Sequence, residues 1–224
     1  EKITVARGAE GSVKQITGKA KAKKIPLYYS DRARMDRDAQ GGSHQGVIAV
    51  VSDYRYATVD EILAKAEGLG EKPFVMILDG LEDPHNLGAI MRTAECAGVH
   101  GIIIPKRRSV SVNETVAKTS AGASEYMLCA RVTNIAREID KLKERGLWIG
   151  ACDMDGEIYS GQDLTGSIGM VIGSEGFGIS RLVREKCDFV VSIPMKGRIT
   201  SLNASNAASI LMYEIVRQRL AEQG

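Results

Sequence analysis

Residues 74–92 read Phe-Val-Met-Ile-Leu-Asp-Gly-Leu-Glu-Asp-Pro-His-Asn-Leu-Gly-Ala-Ile-Met-Arg, and this stretch decides the fold class. An unbroken apolar run, Phe74 to Leu78, meets a turn and then a helix-forming segment. A strand that is apolar on both sides belongs inside a parallel sheet covered by helices. The unit repeats downstream. Further strands are predicted at Gly101–Ile104, Tyr126–Ala130, Leu147–Cys152, Gly169–Gly173 and Phe189–Ile193. Helices are predicted over 87–97, 112–121, 134–145, 179–187 and 204–221. Ile135, Ile139 and Leu142 recur at helical spacing, and Gly146 suits the position just past a helix end. Such alternation predicts an α/β fold: a mainly parallel sheet with helices on both faces.

Upstream, residues 2–6, Leu27–Tyr29 and Gly46–Ser52 have strand character, and 10–24 forms a basic helix. Residues 1–55 therefore read as a small α/β module. It begins at Glu1 without a Met and looks short of its opening elements. Thr58-Val-Asp-Glu61 has capping-box spacing and starts a helix through about Glu67, before Gly68, Gly70 and Pro73 interrupt the chain. Residues 56–72 read as a linker with a short helix, and 73–224 as the larger domain. The first 55 residues carry eleven Lys and Arg against six Asp and Glu, a net of +5. The chain totals +2, so the remainder is −3. That asymmetry points to an RNA-facing first module, with Lys21, Lys23 and Lys24 as phosphate contacts.

No apolar run approaches the ~20 residues that span a bilayer. Cys96, Cys129, Cys152 and Cys187 form no C-x-x-C pair and read as small core residues, in keeping with a reducing cytoplasm. His44, His85 and His100 do not combine with them at zinc spacing, so no metal is expected.

Three segments end predicted strands, where open α/β sheets bind ligands. The first runs from Leu78 to Arg92, strand into turn into helix, where Asn86 can cap the helix. Asn86 and Arg92 lie six residues apart, about 600° of helical rotation, so they converge only if Asn86 sits outside the helix. The second, Val171-Ile-Gly-Ser-Glu-Gly-Phe-Gly-Ile-Ser180, sets one carboxylate, Glu175, among three glycines. It lacks the G-K-[ST] of a Walker loop and the G-x-G-x-x-G dinucleotide fingerprint. The third, Ile193-Pro-Met-Lys-Gly-Arg-Ile-Thr-Ser-Leu-Asn-Ala-Ser205, crowds Ser201, Asn203 and Ser205 at a helix start where one cap suffices. Lys106, Arg107 and Arg108 follow the second strand of the sheet and offer more phosphate contacts.

Together and in this order, DPHNLGAIMR, VIGSEGFGIS and IPMKGRITSLNAS closely resemble the three signature motifs of the SpoU/TrmH family, within the SPOUT class of RNA methyltransferases. The third departs slightly, reading S-L-N-A-S-N-A where the usual pattern is S-L-N-V-S-V-A. The resemblance covers about residues 74–221, and the DPHNLGAI string is similar to the bacterial 23S rRNA guanosine-2′-O-methyltransferase subgroup.

The resemblance implies a C-terminal trefoil knot, an exception to unknotted topology. It implies S-adenosylmethionine (AdoMet) bound by Gly173, Ile193 and Leu202, with Ser174, Met195 and Ala204 as neighbours. It also implies a homodimer. Asn86, Arg92, Glu175, Ser201 and Asn203 are the expected catalytic set. Arg92 is expected to orient substrate and stabilise charge, since a guanidinium with a pKa above ~12 is no base. The expected reaction is methyl transfer from AdoMet to a ribose 2′-hydroxyl of structured RNA, a guanosine of 23S rRNA first. The alternatives are a transfer RNA target, a base-modifying relative, or a non-catalytic RNA-binding assembly factor.

Overall fold

The computed structural model describes residues 1–39 and 41–222. The chain divides into two compact units, Glu1–Tyr54 and Arg55–Gly224.

In the first unit, β1 (Lys2–Ala6), α1 (Ser12–Ala22), β2 (Leu27–Ser30), α2 (Arg32–Asp38) and β3 (Val47–Val50) follow in order. Strand β1 is central, parallel to β2 and antiparallel to β3. Val5, Ala6, Val13, Ala20 and Met35 are buried here. Helix α2 lies outside the sequence expectation. Its start is fixed by Asp31, whose Oδ1 accepts the Arg34 N–H at 2.9 Å. Its only buried side chain is Met35, so it carries almost no hydrophobic periodicity.

The second unit opens with α3 (Val59–Leu69), where Thr58 and Glu61 close the expected capping box. Residues 56–72 differ from the linker reading. Ile62 and Ala66 are fully buried, and Ile62 joins the core of this unit. Burying an isoleucine contributes roughly 1.5–3 kcal/mol, so α3 is held as part of the body.

The sheet follows: β4 (Phe74–Asp79), β5 (Gly101–Pro105), β6 (Leu128–Val132), β7 (Trp148–Ile158), β8 (Ile168–Gly173) and β9 (Phe189–Ser192). Its order is β6-β5-β4-β8-β7-β9, and every pairing is parallel. Between the strands lie α4 (Pro84–Cys96), α5 (Glu114–Thr119), α6 (Ile135–Glu144) and α7 (Arg181–Lys186), and α8 (Ala204–Glu222) ends the chain. Val75 and Ile77 of β4 share one core with Ile139 and Leu142 of α6 and Val183 of α7. The opposite face takes α8, which packs on β8 and α4. Because all strands run the same way, their C-terminal ends share one edge, and all three signature segments leave from it.

Two boundaries differ in ways that matter for the site. Helix α4 begins at Pro84, capped by Asp83, whose Oδ1 accepts the His85 N–H at 2.8 Å. Asn86 therefore lies inside the first turn and is not the cap; a proline at the first helical position already favours this start. Strand β7 continues past Cys152 to Ile158 through a bulge, in which Cys152 and Glu157 both register with Val191. Cys96 is also a correction: it is exposed, whereas Cys129 is buried and Cys152 and Cys187 are partly so.

Candidate active site

The three segments meet at the ends of β4 and β8. Asn86 Nδ2 donates to Glu175 Oε1 at 2.5 Å. Asn203 Nδ2 donates to the same oxygen at 2.7 Å and to Asn86 Oδ1 at 2.9 Å. One side chain from each segment is thus tied to the other two. Asn203 is fixed at both ends of its amide, because its Oδ1 accepts from the Ser205 N–H at 3.0 Å and the Ser205 hydroxyl at 2.6 Å. Serving the start of α8 in this way leaves its NH₂ no choice but to face Glu175. Asn86 is only 4% exposed, so satisfying its amide is obligatory.

The glycine-rich turn is closed on itself. Ser174 N–H donates to Gly178 O at 3.1 Å and Gly178 N–H to Ser174 O at 2.8 Å. A Cβ on Gly173 would lie 2.1 Å from the carbonyl carbon of Gly178, and Gly178 itself holds φ +66°. No side chain fits at the first place, and the left-handed backbone at the second favours glycine. Asp79, at the end of β4, accepts the Ser180 N–H at 2.8 Å and pins the far side of the loop. In the first segment, Gly88 has a different use: its Cβ would fall 2.7 Å from Thr119 Cβ, so it serves the close packing of α4 on α5.

Beside this cluster is a cleft of about 390 Å³. Gly173, Ser174, Ile193, Met195, Leu202 and Ala204 all line it, as do Glu175 and Ser201. Asp153, Met154, Phe177 and Thr200 line it too and were not expected. The β7 bulge re-aims Asp153 and Met154 toward the cleft, and Arg184 secures it by bridging Asp153 at 3.2 Å and Asp155 at 2.6 Å. Phe177 is 95% exposed, and a bulky apolar residue between two turn glycines was the available signal. The charged side chains lining the cleft are Asp153 and Glu175, with no Lys or Arg among the described residues. Cys152 also lines it, and burial pushes its thiol up to about 11, so it stays protonated at neutral pH and is not a nucleophile.

Arg92 does not join this group. It is exposed on α4, and with Asn86 helical the two point about 120° apart around the axis. Among the described residues it has no ion-pair or hydrogen-bond partner. Lys21, Lys23 and Lys24 are exposed at the end of α1, where cations also complement the helix dipole. Arg107 and Arg108 are exposed in the loop after β5, and Arg108 holds a left-handed backbone at φ 55°.

The SpoU rRNA methylase family matches residues 73–213, and the family of RNA 2′-O ribose methyltransferase substrate-binding domains matches residues 1–57. YacO of Bacillus subtilis (strain 168), whose name places it among TrmH family tRNA/rRNA methyltransferases, is 50% identical over 211 residues, 94% of this chain and 84% of YacO. The SpoU methyltransferase AviRb of Streptomyces viridochromogenes, crystallised with its cofactor AdoMet, superposes with a TM-score of 0.83 at 25% identity, covering 98% of this chain and 83% of AviRb. The A. aeolicus TrmH/SpoU tRNA modifying enzyme superposes with a TM-score of 0.62 at 27% identity, covering 73% of this chain and 85% of its own. With its motifs tied together at one sheet edge and its length matched by both models, the chain belongs to the SpoU/TrmH family of RNA methyltransferases.

Proposed function

We propose that the chain methylates a ribose 2′-hydroxyl of structured RNA, a 23S rRNA guanosine first, with AdoMet in the 390 Å³ cleft. The observation that carries this reading is the charge of the cleft. Its lining offers two carboxylates, Asp153 already paired with Arg184 and Glu175 without an ion-pair partner among the described residues, and no Lys or Arg, which suits a positively charged sulfonium and repels a phosphate. Its volume falls in the ~300–1,000 Å³ range of small-molecule sites. Ile172, Ile193, Met195 and Leu202 give it apolar walls for a purine. When bound, AdoMet supplies an electrophilic methyl group. The trefoil threading implied by the family belongs to the same proposal.

The side chains then have distinct work. Asn86, Glu175 and Asn203 lock the three segments together, so the ribose and the methyl acceptor line are held without reorganisation. Such positioning can supply ~7–11 kcal/mol of a barrier. Ser201 is exposed at the cleft and free to hydrogen-bond the substrate. Arg92 orients a substrate phosphate and steadies developing charge.

Arg92 stands outside the cluster of its own chain, so this role requires a homodimer in which each guanidinium serves the partner's cleft. Phe177, at 95% exposure, Met154 at 71% and Tyr213 of α8 at 50% are apolar surface that such a partner covers. Mixing Arg92→Ala with Gly173→Ala tests the arrangement. Each alone is inactive, and their heterodimer regains one working site, about a quarter of wild-type activity in an equal mixture. No recovery, with heterodimers present, contradicts it. The reaction is tested by alkaline hydrolysis of RNA methylated in vitro. A resistant phosphodiester beside the modified nucleotide is expected; methylated but fully cleavable RNA means a base is the target.

A further inference from the structure

Resting on that reading, we propose that the edge of the sheet beyond the cleft is a second RNA contact: a phosphate-binding groove at the C-terminal end of β6. A groove of 710 Å³ lies where β6, α3 and the first turn of α6 meet. Five cations line it, Lys106, Arg131, Arg137, Lys141 and Arg145, against two carboxylates, Asp60 and Glu138. This local excess stands in a part of the chain, residues 56–224, whose own net charge is −3.

Two of the cations are neutralised within the groove. Lys141 pairs with Glu138 at 2.9 Å and Arg145 with Asp60 at 2.6 Å. Lys106 and Arg137 are exposed and have no ion-pair partner among the described residues. Arg131 is held rigidly. Its guanidinium stacks over the Tyr56 ring at 4.9 Å and donates to Lys106 O at 2.8 Å, while its Nε is buried without a hydrogen-bond partner. A buried guanidinium nitrogen left unpaired costs free energy that an anion can return.

Position fits the same occupant. The sheet order puts β6 two strands from β4 and three from β8. At ~4.8 Å per strand the groove opens about 10–15 Å from the Asn86–Glu175–Asn203 cluster, on the same edge of the sheet. An RNA strand whose ribose enters the cleft runs its neighbouring phosphates past such a groove within a few nucleotides. The cleft itself carries no Lys or Arg lining, so backbone phosphates must find their cations elsewhere. A polyanion of regular spacing is the partner these charges fit.

The test uses the full chain with Lys106→Gln and Arg137→Gln combined, the two exposed cations of the groove without an ion-pair partner among the described residues. Binding of purified bacterial rRNA is measured between 50 and 200 mM KCl, alongside the melting temperature. With about 0.7 of salt slope per phosphate contact, the loss of two contacts should lower the log–log slope by about 1.4 and weaken affinity by roughly 10-fold or more. An unchanged slope and affinity in a folded variant overturns the groove, including the case in which a protein occupies it. Wild type that neither binds nor methylates RNA brings down the functional reading itself and the groove with it. If the double variant does not fold, Arg137→Glu alone should still lower the slope by about 0.7–1, and an unaltered slope there overturns the proposal equally.

Discussion

The two ends of one sheet edge are built on opposite principles. At β4 and β8 the site is closed: neutral amides and one carboxylate cross-tie three segments at 2.5–2.9 Å, and backbone hydrogen bonds lock the glycine turn. At β6 the groove is cationic: Arg131, Lys141 and Arg145 are tied down, while Lys106 and Arg137 stand exposed without an ion-pair partner among the described residues. Geometry that must not move is made from short, directional hydrogen bonds. Attraction that must tolerate many sequences is made from exposed charge. The contrast teaches that substrate capture and methyl positioning are separable, and each has its own experimental signature.

The largest effect should come from Gly173→Ala. A methyl group cannot coexist with the Gly178 carbonyl carbon 2.1 Å away, so the turn must open. AdoMet affinity should fall at least ~100-fold, by calorimetric titration; an unaltered Kd would show that this turn is not the donor wall. Asn203→Asp weighs the clasp against the chemistry. It keeps the acceptor that serves Ser205 but loses both donors, leaves buried Asn86 Oδ1 without that partner and sets a carboxylate against Glu175. We expect ΔG of unfolding to fall by about 1–3 kcal/mol, with kcat of the folded variant down about 100-fold, comparable to losing a preorganised donor. Retained kcat would reduce the cluster to a structural clasp.

Salt sharpens the comparison further. From 50 to 200 mM KCl, RNA affinity should weaken about 10-fold or more, while AdoMet affinity should change less than about twofold, since a small ligand in a cleft with few charged side chains releases few counterions. Equal sensitivity would erase the distinction between the two regions. The smallest effect lies at the opposite end of the sheet. His100 is buried, its Nδ1 accepts the Phe74 N–H at 2.9 Å, and desolvation holds its pKa below 6.5 against an opposing pull from Glu71. The unfolded chain therefore takes up this proton first, so stability falls as pH drops below about 6.5. Histidine→glutamine at position 100 should flatten that slope; an identical acid profile would assign the loss to other groups.

Much of this was legible in the sequence, for physical reasons. Strand β4 was legible from Phe74 to Asp79 because a continuous apolar run bounded by Pro73 and Gly80 suits a strand buried on both faces. The cleft-lining positions Gly173, Ile193 and Leu202 came from the resemblance of the three motifs taken together, because a glycine turn or a surplus of small polar groups alone suits a tight turn or a helix cap equally well. What failed was context. The Asp83-Pro84 start lost to Asn86 because both Asp and Asn are good caps and the signal of Pro84 at the first helical position was passed over. Asp153 and Met154 were missed because a bulge depends on pairing with β9, which no local pattern records. Helix α3 looked like a linker because its two buried positions, Ile62 and Ala66, are too few to declare a core face. The β6 groove was invisible because Lys106, Arg131 and Arg137 are brought together only by the parallel pairing of β5 with β6.

Backbone hydrogen exchange with and without AdoMet tests the division of this edge most directly. Added AdoMet should slow exchange in residues 172–179 and 193–204 and leave 131–141 as it was. Protection that appears at 131–141, or fails to appear around Gly173 and Leu202, would contradict the placement of the methyl donor between β8 and the start of α8.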